Sequence, residues 1–592
     1  MKNAFVKSKP LSQYPANKIP ADFLSGNTVN YLYAGDKDRQ KQLIPDRYEF
    51  YICRLLRDRL EAGDIYCRDS IRFRSFEDDL IDDETWLNHK DELIERAELP
   101  ILKLPVEEHL AGLEKELEGR INKVNKRIED GKNEYVKIKE KRGKRGWSLK
   151  YPGDNDEINH PVFDSLKQVG IGSVLDFVNQ RCRFMDAFEH VLDRYVKTHI
   201  DERAIFASLL AWGTNTGLGR MGQISDIDYN LLAATSDNFI RLETLRGAND
   251  MVTNAIAEQP IFHEYDIDNV VHSSSDGQKF ETSLPTINAR HSPKYFGLKK
   301  GVVAYTLVAN HIPVNARIIG ANEHESHYVF DILFNNTSKI QPDIHSTDTH
   351  GSNAVNFAIL DMFGYQFAPR YKDIAGTVST SLYGFKHPSH YDGILRPVRK
   401  LRKDLIIDDW DGIARIMVSL ALKSTAQSII TGKLSAYARK NKTRTALWEY
   451  DNIIRSLYLL RFIDEPPLRR NIQLALNRGE SYHKLRKAVA FANFGKLRFK
   501  TEFEQEIWQE CSRLITNCII FYNARILSTL LAHKQKIGDQ EGIALLKRVS
   551  LVAWQHINLH GRYEFTKAQD VIDMQEIILK LVKSSAKGKK GV

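Results

Sequence analysis

Between residues 301 and 320, in GVVAYTLVANHIPVNARIIG, two β-branched runs flank the break NHIP. That pattern predicts two strands joined by a turn. Downstream, ESHYVFDILFNN has helical spacing, IQPDIHSTDTHG reads as a short strand ending in small polar residues, and NAVNFAILDMFG as another helix. Strands followed by alternating strand and helix predict a mixed α/β sheet over residues 266 to 375. Before it, AIFASLLAW and NFIRLETLRGANDMV predict helices, and beyond about residue 376 the chain reads as mostly helical, closing on a lysine-rich tail, KSSAKGKKGV, expected to be disordered. In HLAGLEKELEGRINKVNKRIEDG, Leu110, Leu113, Leu117, Ile121, Val124 and Ile128 form a narrow apolar seam on one long helix. So short a seam favours packing inside its own chain over a dimeric coiled coil.

At 592 residues the chain is long for one core, so several domains are expected; 42% hydrophobic and 27% charged residues are the balance of a globular protein. Lysine plus arginine (85) exceeds aspartate plus glutamate (76) by nine, which permits a polyanionic partner without requiring one. Five cysteines without paired spacing read as reduced thiols. No uninterrupted apolar stretch reads as long enough to span a bilayer, and the amino terminus lacks a signal-peptide core, so a soluble, cytoplasmic protein with no membrane partner is expected.

Two motifs imitate sites. Gly217, Gly219 and Gly222 in GLGRMG match a dinucleotide fingerprint, but the preceding run is rich in alanine and leucine, so a glycine-rich connection is predicted. His324, Glu325 and His327 in NEHESH are spaced one residue short of a zinc-protease helical pair, and a zinc site is rejected. The basic stretch KIKEKRGKRGWSLKYPGDND, with Trp147, either tracks a phosphate backbone or forms a solvated loop.

The candidate chemistry lies in three acids. Asp276, in VVHSSSDGQKFET, falls where an apolar run gives way to small polar residues and a glycine; Asp348, in HSTDTHG, repeats that context. Each is either a turn former or part of a metal site. Acids at the ends of neighbouring strands can converge on one cation, because strands lie about 5 Å apart. Glu480 sits in a basic helical stretch with Lys484 and Lys487 on the same face. Helix ion pairing and metal ligation are equally open for it.

These residues are embedded in longer text that resembles the transposases of the Tn3 family of replicative bacterial transposons. The resemblance runs from RYEFYICRLLRDRLEAGDIYCRDSIRFRSFEDDLI to SLVAWQHINLHGRYEF, and is densest from SSSDGQKFETSLPTINARHSPKYFGLKKG through HSTDTHGSNAVNFAILDMFGYQFAPRYKDI, with LLRFIDEPPLRRNIQLALNRGESYHKLRKAVAFANFGKLR beyond. It implies an RNase H-like mixed-sheet catalytic domain with a helical insertion, embedded in largely helical flanking domains. The implied catalytic and metal-binding acids are Asp276, Asp348 and Glu480, 72 and 132 residues apart, holding two divalent metal ions, Mg²⁺. The implied activity is cutting of transposon 3′ ends and their joining to target DNA. The resulting division is a mixed, mostly helical region 1–160, a helical region 161–265, the first part of the core 266–375, the helical insertion 376–465, the glutamate helix 466–500 and a helical carboxy-terminal region 501–592.

Lys487 matches the basic residue seven places after the glutamate in related transposases. With Lys484 it is expected to contact DNA, as are Arg290, Lys294 and Lys299, together with His291 and Lys300, around RHSPKYFGLKKG. LRPVRKLRK, in the insertion, lines a DNA channel or forms a solvated face. His345 and His350 flank Asp348 and either hydrogen-bond to it behind the metal or are surface groups. The expected partner is double-stranded DNA, both ends and target, bound by a homodimer. The match begins within the middle part of the family, so much of the amino-terminal, end-recognising region is expected to be lacking. That keeps two other readings in play: a DNA-binding remnant that assembles with or inhibits an intact transposase, and a general metal-dependent nuclease.

Overall fold

The computed structural model describes residues 19–24, 27–34, 42–70, 73–141, 144–151, 161–192, 201–424, 426–435, 441–566 and 571–588. Two compact units emerge: residues 1–98 with 409–446, and residues 99–408 with 447–592. The segment 376–465, taken from sequence as one insertion, is therefore shared, with 409–446 in the first unit and its flanks in the second.

The first unit contains the helices Pro45–Glu61, Asp83–Ala97, Trp410–Ala421 and Gln427–Ser435. Asp82 starts the second of these by accepting the Thr85 amide at 2.9 Å. Lys433, buried, is paired with buried Asp79, which also accepts from Arg74 Nε at 2.6 Å. Removing one partner would leave a buried charge uncompensated.

In the second unit the sheet contains β1 (His272–Glu281), β2 (Lys300–Ala309), β3 (Ile312–Gly320), β4 (Ile344–Ser346) and β5 (Gln366–Phe367). Their order is β5-β4-β1-β2-β3. The short strand Arg290–His291 adds to the start of β2. The first three strands pair antiparallel, whereas β4 runs parallel to both β1 and β5. The predicted pair of strands is β2 and β3, and the first two residues of NHIP, Asn310 and His311, make their turn at φ 44° and 75°, while Ile312 and Pro313 already belong to β3. β2 is buried at every position after Lys300, as a strand covered on both faces must be.

β1 departs from expectation. The strand begins where the apolar run ends, so Asp276 lies mid-strand, not at a strand end. Serines tolerate this buried place because each hydroxyl finds a partner. Ser273 and Ser275 hold the two ring nitrogens of His345 at 2.9 Å each, and Ser274 donates to the Ala475 carbonyl at 2.7 Å. His345 is fully buried, which removes the surface reading, and burial pushes its ring down to about 3. It stays neutral at physiological pH.

The helices that matter for the site are α1 (Val106–Glu129), α2 (Glu202–Gly213), α3 (Leu242–Ala257), α4 (Pro466–Val489) and α5 (Glu502–Lys536). The predicted seam of α1 is turned into its own chain: Leu110, Leu117, Ile121, Val124 and Ile128 are buried, and Asn125 exchanges hydrogen bonds with the backbone of Leu395 at 2.9 Å each way. The glycine-rich GLGRMG follows helix α2 rather than a strand, so the fingerprint has no strand to open it. The basic stretch forms a two-stranded hairpin, Val136–Lys141 with Lys144–Leu149.

α4 begins at Pro466 and Pro467, which cannot continue the preceding helix but suit a first turn. It lies along β1: a Cβ on Gly479 would stand 3.1 Å from Ser274 Oγ, so only small residues let helix and strand approach this closely. Arg486 is fully buried behind β1, donating to Gln278 Oε1 and Thr306 Oγ1 at 2.7 Å each. These bonds to neutral acceptors fix the register of α4 on the sheet.

α5 is long and apolar enough by length and composition to cross a membrane, although Asn517, Asn523 and Arg525 interrupt its apolar run. Its most apolar stretch is 89% buried within the protein, and just before that stretch buried Arg513 pairs with Glu510, so the helix serves as a core element. Thr501 and Glu504 form its capping box. The carboxy-terminal tail is also more ordered than expected, with the last helix running from Met574 to Gly588; residues 589–592 lie outside the described residues.

Candidate active site

Asp276 and Asp348 meet because β1 and β4 are parallel neighbours. Ser274 pairs with Ser346, and continuing that register by two residues sets Asp348 abreast of Asp276. Asp348 is half-buried and lies just before the short turn Thr349–Gly351. The side chain of His350, in that turn, lies outside the described residues.

Asp276 accepts the Gly277 amide at 2.8 Å, yet its carboxyl is pushed up to about 7. Partial removal from water is the largest cause, followed by the carboxylate of Glu325; Asp348 adds to the rise, while the Gly277 amide and Lys279 oppose it. Glu325 is the acid that the sequence reading set aside with the rejected zinc motif. It accepts from Lys279 Nζ at 3.1 Å and occupies the space over Gly277, where a Cβ would collide with it and with Val303. Glycine at 277 is therefore what lets a third carboxylate approach Asp276. Sequence spacing carried no signal of this, because Glu325 arrives from the connection after β3.

Glu480 is exposed on α4. One turn on, His483 Nδ1 stands 3.7 Å from Asp276 Oδ2. Burial, then Arg486 and Lys279, hold His483 well below its usual range, so it is neutral, and at this distance the contact is neither an ion pair nor a hydrogen bond. On the same stripe as Glu480, two turns earlier, Gln473 accepts from Arg370 at 2.8 Å, and the Arg370 amide donates to Thr347 at 2.9 Å. That stripe thus faces the β4 side of β1, and Glu480 lies on it between Gly479, which packs on Ser274, and His483. Among the described residues Glu480 makes no ion pair with Lys484 or Lys487, both exposed, so the helix-pairing reading finds no support.

The remaining predicted cations are at the far end of β1. Lys294 is exposed, and Lys299 pairs with Glu281 at 3.0 Å, which Lys496 shares at 3.2 Å. Arg290 instead directs its guanidinium to the carbonyls of Ile287 and Ala289.

Among the described residues, no three His, Cys, Asp or Glu side chains close on one point as a ready metal cage. The donor chemistry nonetheless fits a hard cation. The groups are carboxylate oxygens, two of them raising a third, with Lys279 and buried Arg486 as positive charges that act on it. The histidines on β1 and β4 are buried and committed to serines, which leaves them out of the donor set.

A profile of the Tn3 transposase DDE domain matches residues 173–563. The transposase for transposon Tn1546 of Enterococcus faecium is 26% identical over 93% of this chain and 55% of its own length. The transposase for transposon Tn21 of Escherichia coli is 28% identical, with the same coverage, and that for Tn501 of Pseudomonas aeruginosa is 28% identical over 89% of this chain and 53% of its own. The chain spans about half the length of the curated relatives it matches. A DDE profile that covers the sheet, both aspartate strands and the glutamate helix places this chain in the Tn3 transposase family.

Proposed function

We propose that this chain is the catalytic part of a DNA transposase that cuts transposon 3′ ends and joins them to target DNA, with an RNase H-like core. The strand order supports the core: an antiparallel triplet β1-β2-β3 extended on the β1 side by parallel β4 and β5. The observation that carries the reading is the meeting of Asp276 with Asp348 on one register level, with His483, one turn from exposed Glu480, 3.7 Å from Asp276. Asp276, Asp348 and Glu480 would hold two divalent cations, Mg²⁺ by donor type. When bound, such ions supply Lewis acidity to the entering and leaving oxygens of an in-line displacement.

The chain's own groups do the rest. Asp276 is held by the Gly277 amide and by a strand that Arg486 locks to α4, so its carboxylate has little freedom to turn away. Lys484 and Lys487, on the Glu480 face, bind phosphates flanking the reacting one, and Lys294 and Lys299 hold the duplex further along β1. A transposon has two ends, which calls for two copies of the site, hence a homodimer on DNA in the bacterial cytoplasm.

The test is a pre-cut transposon end incubated with target plasmid and Mg²⁺ or Mn²⁺. Joined product is expected. Nicking without joining would favour a general nuclease, and binding without chemistry a DNA-binding remnant. In a salt titration, affinity for duplex should fall steeply, and Lys484→Ala and Lys487→Ala should each flatten the log–log slope by about one. Unchanged slopes would remove those lysines from the interface.

A further inference from the structure

We propose that Phe494 is a wedge that inserts into a base step of the bound duplex, several base pairs from the reacting phosphate. The inference rests on the reading of this chain as acting on DNA. Phe494 is 99% exposed, which no core role explains. It sits in the turn after the glutamate helix, where Asn493, Phe494 and Gly495 lie at φ 55°, 54° and 73°. Asparagine and glycine accept a left-handed backbone; phenylalanine rarely does, so this conformation must be imposed by surroundings.

The surroundings are specific. Asn215, buried after α2, donates to the carbonyls of Ala492 and Lys496 at 3.1 and 2.8 Å and accepts the Arg498 amide at 3.3 Å. Asn493 donates back to the Asn215 carbonyl at 2.9 Å, and the Ala492 amide reaches Thr214 at 3.2 Å. A turn held from both flanks presents one aromatic ring outward without paying ordering entropy on binding.

Charge decides the occupant. The turn lies against the end of β1, where Leu497 exchanges backbone bonds with Glu281 and Ser283. Residues 282–300 and 490–500, which meet there, contain seven lysines and arginines and no acid. Their most exposed other apolar side chains are Leu298, 95% exposed, and Ile287, 93% exposed, with Leu284 and Tyr295 partly exposed. Protein interfaces are depleted in lysine, whereas isolated apolar side chains among cations are how DNA-bending proteins unstack a base step. Glu281, which anchors Lys496, is five residues along β1 from Asp276, about 17 Å in an extended strand. A duplex held by Lys299 and Lys496 while its phosphate lies at Asp276 therefore brings Phe494 to a base step away from the chemistry.

The experiment places 2-aminopurine at successive positions of a short duplex carrying a joined transposon end, and reads its fluorescence on binding. The parent protein should raise the signal at one step. Phe494→Ala should abolish that rise and weaken binding about fivefold or more, with the salt slope unchanged because the lysines remain. Phe494→Leu should keep part of the rise, and both variants should melt like the parent, since the ring is 99% exposed among the described residues. Salt-dependent binding with no rise at any position, or a rise that survives in Phe494→Ala, would overturn the wedge while leaving the DNA reading intact. Loss of self-association in Phe494→Ala with the rise retained would reassign the ring to a protein contact. A parent protein that binds no duplex at low salt would sink the DNA reading and the wedge with it.

Discussion

Glu480→Gln is expected to abolish strand joining while DNA binding survives. Glutamine keeps the size, the helix and the hydrogen-bonding reach of glutamate but removes the charge that holds a cation. An acid that serves as a metal ligand supports several kcal/mol of transition-state charge stabilisation, so its loss should cost roughly a thousandfold or more in joining rate. Binding should persist or tighten slightly, because the neighbouring Lys484 and Lys487 remain exposed and one repulsive charge near the phosphates is gone. Folding should be unaffected, since Glu480 is exposed and makes no ion pair with those lysines among the described residues. Adding Asp348→Asn should lower activity little further, because the acids act as a unit. Joining by Glu480→Gln at the parent rate would make this carboxylate structural and the assignment wrong.

Asp276→Asn is expected to remove activity and yet stabilise the metal-free protein above neutral pH. The carboxyl is pushed up from its ordinary value to about 7, chiefly by partial removal from water and by Glu325. Between the ordinary carboxylate range and about 7, the folded chain holds a proton that the unfolded chain has released. Stability therefore falls as pH rises through that window, and the contribution is fully present only below it. Asparagine carries no such proton, so the variant should lack this slope. Its advantage should be absent near pH 4 and of order 1 kcal/mol near pH 8, the size left once water screens a side chain that is 40% exposed. Urea unfolding across that range, in chelator, measures it. Mg²⁺ should then restore stability to the parent above pH 7 and do nothing for the variant, a difference that reports on metal binding independently of turnover. A variant less stable than its parent at high pH without metal would show that Asp276 is not a crowded charge.

Local pattern alone settled several features of this protein. The β-branched runs around NHIP specify β2 and β3, because a strand buried on both faces must be continuously apolar and its turn must break that run. The seam of α1 is likewise written in spacing. Asp276, Asp348 and Glu480 could be singled out through the family resemblance of the text around them. The approach of Asp348 to Asp276 could not, since it depends on parallel register between β1 and β4. β1 was misplaced because serines carry no strand signal by themselves. They become strand residues only when His345, Tyr305 and the Ala475 carbonyl satisfy their hydroxyls. Glu325 was invisible for the same reason: its role depends on the missing Cβ at Gly277 and on Lys279 across the strand. The sequence by itself determined the continuously apolar strands, the apolar helix seam and which acids were available. Tertiary structure alone decided which carboxylates share one small volume, because electrostatic crowding depends on distance in space and not on distance along the chain.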